Sequence, residues 1–160
     1  MVRVALADDH VVVRQGLRLL LHTDPALDVV GEASNGTDAI ARVKRLKPHV
    51  LILDLMMPAP DGLEVTRRIT RLKLGTRVII LTMYGDPAFL LDALKGGAAG
   101  YVVKESCGTD LLRAIHEVAA GRRYLSPGLE AIVEDWSSTS HRPAAARQTA
   151  KSPRQASRAL

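Results

Sequence analysis

Five side chains carry the chemistry open to this sequence: Asp8, Asp9, Asp54, Thr82 and Lys104. Taken singly, each has a plainer role. An Asp after a strand commonly caps a helix or forms a turn, a Thr suits a strand, and a Lys is commonly a solvated loop charge. Yet each follows a short apolar run: Val2–Ala7 precedes Asp8-Asp9, Val50–Leu53 precedes Asp54, Val78–Leu81 precedes Thr82, and Tyr101–Val103 precedes Lys104. If those runs are parallel strands, the five side chains share one sheet edge. Three carboxylates that close repel strongly unless protonated or bound to a cation. Oxygen donors without a His or Cys cluster suit a hard dication that keeps some waters, Mg²⁺ first. Mg²⁺ and Lys104 together would offset the three negative charges. A carboxylate beside them is set up to accept a phosphoryl group, because metal and ammonium neutralise the transferring oxygens while the carboxylate attacks. Asp54, on the central strand, is the candidate nucleophile. Asp8 and Asp9 are then the metal-holding pair, and the Thr82 hydroxyl can donate to a phosphoryl oxygen.

The elements that must position these residues alternate along the chain. Strand-like runs at 2–7, 27–33, 50–53, 78–81 and 101–103 are interleaved with helical periodicity over 11–22, 36–46, 63–72, 87–94 and 109–120. Val50-Leu51-Ile52-Leu53 is uninterrupted apolar sequence, as a strand covered on both faces requires. Five βα units predict a flavodoxin-like, doubly wound α/β fold with a five-stranded parallel sheet and helices on both faces, since parallel strands need crossover connections. Such sheets bind ligands beyond the carboxyl ends of their strands. Asp61-Gly62 reads as a turn leading into a helix, and Gly96, Gly97 and Gly100 as turn and helix-end residues. Ser126-Pro127 reads as the N-cap and first-turn proline of one more helix, reaching Trp136.

The chain has 160 residues, 47% of them apolar and 24% charged, which suits one globular domain with an appendage. Its formal charge of +5 is confined to one segment: residues 137–160 hold five of the 22 Lys+Arg and no acid, leaving 17 of each sign in residues 1–136. The basic balance therefore says nothing about the globular part. The segment itself is rich in Ala, Ser, Arg and Gln, lacks apolar periodicity and reads as disordered. One cysteine, Cys107, cannot form an internal disulfide and reads as a helix-start residue; with no apolar run near the roughly 18 residues of a membrane span, a reducing, cytoplasmic setting is expected.

Ala7-Asp8-Asp9-His10, Leu53-Asp54-Leu55-Met56-Met57-Pro58, Asp61-Gly62-Leu63-Glu64, Leu81-Thr82-Met83 and Gly97 to Lys104 together resemble the receiver domain of two-component response regulators, over residues 1–125. His10, Gly97-Ala98-Ala99-Gly100-Tyr101 and Gly121 to Pro127 are similar to the NarL/FixJ subfamily, whose members usually carry a LuxR-type helix-turn-helix. The resemblance implies that Asp54 takes phosphate from a sensor histidine kinase, that Asp9, Asp54 and the Met56 backbone carbonyl ligate Mg²⁺, and that Asp8 acts through water. It further implies that Lys104 pairs with the phosphoryl group, that Thr82 moves toward it, and that Tyr101 swings inward, reshaping the face of the fourth helix, fifth strand and fifth helix. A phosphorylation-dependent homodimer is a further expectation.

Residues 126–136 are then a linker helix, and 137–160 are too few and too polar for a helix-turn-helix with a core. The expected readings are a stand-alone receiver or, alternatively, the receiver part of a DNA-binding regulator whose helix-turn-helix is missing. Ala59-Pro60 stands where relatives often have Gly first, and should stiffen the loop after Asp54. Met56 and Tyr84 are bulky neighbours of the site, from which slow self-dephosphorylation is expected. A haloacid-dehalogenase-type phosphatase would need a second Asp where Met56 stands, and a flavodoxin-like FMN carrier would not place Asp8-Asp9 where its phosphate loop belongs. A purely structural module would leave the acids without metal. The receiver is therefore expected to be no enzyme beyond its own phosphorylation and dephosphorylation.

Overall fold

The computed structural model describes residues 1–140 except Tyr84 and Cys107. Residues 1–127 form one compact unit; a second begins at Gly128. In the first unit strands β1 (Val2–Ala7), β2 (Leu27–Ala33), β3 (Val50–Asp54), β4 (Arg77–Thr82), β5 (Gly100–Val103) and β6 (Tyr124–Leu125) form one parallel sheet in the order β2-β1-β3-β4-β5-β6. Helices α1 (Val11–His22), α2 (Gly36–Leu46), α3 (Gly62–Leu72), α4 (Pro87–Lys95) and α5 (Thr109–Ala119) are the crossovers.

Alternation along the strands divides the core in two. Val4, Leu6, Ile52, Ile79 and Val102 pack with Leu17 and Leu21 of α1 and with Leu111 and Ile115 of α5. The intervening residues, Ala5, Leu51, Leu53, Ile80 and Tyr101 among them, are equally buried, and α2, α3 and α4 lie against one another in sequence. All five residues of β3 are buried, as its unbroken apolar sequence requires.

The expected fold is the observed one, with three differences, all toward its carboxyl end. The sheet has a sixth strand, β6, only two residues long, paired parallel to β5 through Gly100↔Tyr124 and Tyr101↔Leu125. Ser126 does not start a helix. Its backbone N–H donates to Tyr101 O at 3.0 Å, and its hydroxyl accepts from Val103 N at 3.0 Å and bonds Asp110 Oδ2 at 3.1 Å, so it continues the sheet edge. In the second unit, α6 covers Glu130–Ser140, so the first four residues of the segment read as a tail are helical. The expectation of disorder over 141–160 lies outside the described residues, as do those for Tyr84 and Cys107.

Candidate functional site

The carboxyl end of the sheet collects the residues picked out by type. β1 ends at Ala7, so Asp8 and Asp9 leave the sheet directly beside β3, where Ala7 pairs with Leu53. Asp54 is the last residue of β3. Thr82 closes β4 and pairs with Val103 of β5; Lys104 follows in a single 3-10 turn over Lys104–Ser106.

Asp8 and Asp54 are almost wholly buried, at 1% and 5% exposure. The Lys104 ammonium reaches both, 3.3 Å from Asp8 Oδ2 and 3.7 Å from Asp54 Oδ1. Asp54 Oδ1 also accepts the Met56 N–H at 3.3 Å, which brings the Met56 backbone to the carboxylate. Burial, then the Asp8 charge, push the Asp54 carboxyl above its ordinary range; Lys104 and the Met56 amide oppose this without cancelling it. The site thus holds more negative charge than its one ammonium balances, and that imbalance favours a cation. Ligand atoms of Asp8, Asp9, His10 and Asp54 all lie within 4.8 Å of one another. Carboxylate oxygens at that spacing, two of the three acids being buried, are the donor set a hard dication takes.

Thr82 and Tyr101 have no exposed surface. Tyr101, the ring expected to swing inward, lies inside the fold. Burial, with Asp86 second, pushes its phenol up to about 12. Met56 is 54% exposed, and with Asp9, Leu55 and Phe89 it lines a pocket of about 360 Å³ that opens beside the acids.

Local structure explains why the loops hold their places. Asp61 caps α3, its side chain accepting from Glu64 N at 3.0 Å, as the Asp61-Gly62 reading expected. Gly62 is needed for a different reason: a Cβ there would stand 2.6 Å from the Asp54 carbonyl oxygen and 2.7 Å from Leu55 Cα. Only a glycine lets α3 start against the end of β3. Two side chains make contacts that residue type alone did not reveal. One is His10, whose ring lies against both Asp8 and Asp9; adjacency in Asp8-Asp9-His10 was the available signal. The other is Asp110, which bonds the Tyr124 hydroxyl and Ser126 Oγ and so fixes β6 to α5; no local pattern marks that contact.

The family model for the response regulator receiver domain matches residues 4–116. Among curated proteins, the DNA-binding transcriptional activator DevR/DosR of Mycobacterium tuberculosis is 47% identical over 125 residues, which are 78% of this chain and 58% of that activator. The chain thus spans under two thirds of that relative's length. A two-component response regulator of the LuxR family from Aurantimonas sp. SI85-9A1 superposes with a TM-score of 0.81 at 38% identity, covering 86% of this chain and 99% of that one. The isolated receiver domain of RcsB from Salmonella enterica serovar Typhimurium, solved with the phosphomimetic BeF3-, gives 0.75 at 33% identity, covering 82% and 97%. Sheet order, strand-end acids, family match and these relatives agree: the chain belongs to the response regulator receiver family of two-component systems, among relatives of the NarL and LuxR type.

Proposed function

We propose that this receiver works in the cytoplasm and accepts a phosphoryl group on Asp54 from the phosphohistidine of a sensor histidine kinase, in a Mg²⁺-dependent transfer. The observation that carries the reading is the meeting of Asp8, Asp54 and Lys104, the first and last being 96 positions apart in the chain. When bound, the dication neutralises carboxylate and phosphoryl oxygens alike. Asp9, Asp54 and the Met56 backbone carbonyl are the assigned ligands, with Asp8 holding a water; the clustered, mostly buried carboxylates fit that ion.

An Asp54 oxygen attacks the phosphorus, a P–O bond forms as the P–N bond breaks, and the kinase imidazole leaves and takes its proton from solvent. Lys104 neutralises the incoming oxygens from its place 3.7 Å from Asp54, and Thr82 donates its hydroxyl to one of them. With Thr82 and Tyr101 both buried, the switch we assign to them works by repacking beneath the face of α4, β5 and α5, and that altered face is the proposed surface of a phosphorylation-dependent homodimer. The domain catalyses its own phosphorylation and dephosphorylation and acts otherwise as a signalling switch.

Incubating the full chain with Mg²⁺ and a small-molecule phosphodonor, followed by mass analysis, tests the assignment. An adduct on wild type that is lost in Asp54→Asn supports it. Labelling of both proteins, or of neither, overturns it.

A further inference from the structure

His10 is a donor that the phosphoryl-transfer reading leaves without a role. Its Nδ1 lies 3.1 Å from Asp8 Oδ1 and 3.1 Å from Asp9 Oδ1. The backbone holds the ring in place: His10 N donates to Asp8 Oδ1 at 2.8 Å, closing a tight turn between β1 and α1. His10 is the N-cap residue of α1, with extended backbone, yet its side chain makes no capping bond. The imidazole is therefore not committed to the helix. It joins Asp8, Asp9 and Asp54 in a group of donor atoms that spans no more than 4.8 Å.

Around an octahedral dication with bonds of about 2.1 Å, adjacent ligand atoms stand ~3.0 Å apart and opposite ones ~4.2 Å. The two 3.1 Å separations at Nδ1 match adjacent positions. The wider 4.8 Å spread has to close by about half an ångström, a small rotation of exposed side chains such as Asp9. Charge does not discriminate between dications here, but donor type does. Mg²⁺ prefers oxygen and gains little from a ring nitrogen, whereas first-row transition ions accept imidazole readily. Resting on the reading of this pocket as a divalent-cation site, we propose that His10 Nδ1 is a nitrogen ligand and that the site therefore favours a first-row transition dication, with Mn²⁺ as the probe, over Mg²⁺. The ring binds as the neutral tautomer protonated on Nε2.

The same 3.1 Å contacts would arise if Nδ1–H merely donated to both carboxylates, so the test must see the nitrogen. Electron spin-echo modulation of Mn²⁺ bound to the full-length wild type should contain a ¹⁴N component that changes frequency when the histidines are ¹⁵N-labelled, and that disappears in His10→Phe and His10→Ala. In the same variants Mn²⁺ affinity should fall at least about tenfold, the least expected when a ligand rather than its supporting partner is removed, while Mg²⁺ affinity stays within about twofold. Bound Mn²⁺ without nitrogen modulation, or equal losses for both ions, overturns the role of His10 and leaves the acidic cation site standing. A wild type that binds neither ion overturns both. The wild-type ¹⁵N comparison decides the question even if a variant fails to fold.

Discussion

Asp54 is placed where ionisation is costly, because the sheet end buries it and Asp8 adds a second negative charge. Its folded pKa lies above the ordinary 3.8, so its contribution to stability is present at acid pH and is lost as pH rises. At neutral pH without a cation the ionised carboxylate opposes folding. Asp54→Asn should therefore raise the melting temperature at pH 7 in the presence of a chelator, an advantage that shrinks toward zero below pH 3.8; a lower melting temperature at pH 7 would contradict this. Tyr101 has the same sign at the other end of the scale, its stabilisation being lost as pH climbs from 10 to about 12. Tyr101→Phe should remove that alkaline component from a melting series. Lys104→Met should slow phosphorylation from a small donor by ~100-fold, the usual loss for one preorganised charge on a transferring group. Residue types and spacing made this part of the site legible in advance, because strand-end carboxylates reveal themselves through the apolar runs before them. They did not reveal that the Tyr101 ring is already buried, which depends on packing from distant elements.

At the scale of elements, the loop after β3 is controlled from its far end. Asp61→Ala removes the α3 cap and should cost about 1 kcal/mol in denaturant unfolding. Gly62→Ala should cost more, about 1–3 kcal/mol, because its methyl meets the backbone of Asp54 and Leu55. It should also disturb phosphorylation, which loss of the cap alone should not. The opposite end of the sheet is tied by His116 Nε2 of α5, 2.6 Å from Asp24 Oδ2 before β2. The hydrogen bond from His116 holds the Asp24 carboxyl below its ordinary 3.8, so this stabilisation is present above that pH and lost as pH falls through the lowered value. Asp24→Asn should accordingly lower the melting temperature at pH 5 and match wild type in strong acid. The five βα units were readable because strand-length runs alternate with helical periodicity, most clearly at β3, which is covered on both faces and unbroken in its apolar sequence up to Asp54. β6 was not: two residues carry no periodicity, and only pairing with β5 makes them a strand. The start of α6 was misread for a related reason, since Ser126-Pro127 has the composition of a helix cap while the Ser126 hydroxyl is engaged with Val103 and Asp110.

For the molecule as a whole, the proposed cation would be linked to the fold. A ligand that binds only the folded state at a hundred times its dissociation constant stabilises it by ~2.7 kcal/mol. Saturating Mg²⁺ should therefore raise the melting temperature of wild type and do much less for Asp54→Asn, reversing their order in chelator. A calorimetric titration in which both proteins respond equally would dissociate the acids from the cation. Charge at this scale matters little to residues 1–136, where the two signs balance. The path of the backbone matters more. The chain leaves the sheet beside β5, with Tyr124 N bonded to Ala99 O at 3.1 Å and Ser126 N to Tyr101 O at 3.0 Å. Any mechanical load on the polypeptide beyond Ser126 would be felt as tension on the strand that carries Tyr101 and runs into Lys104, so the exit point works as a handle on that edge of the sheet.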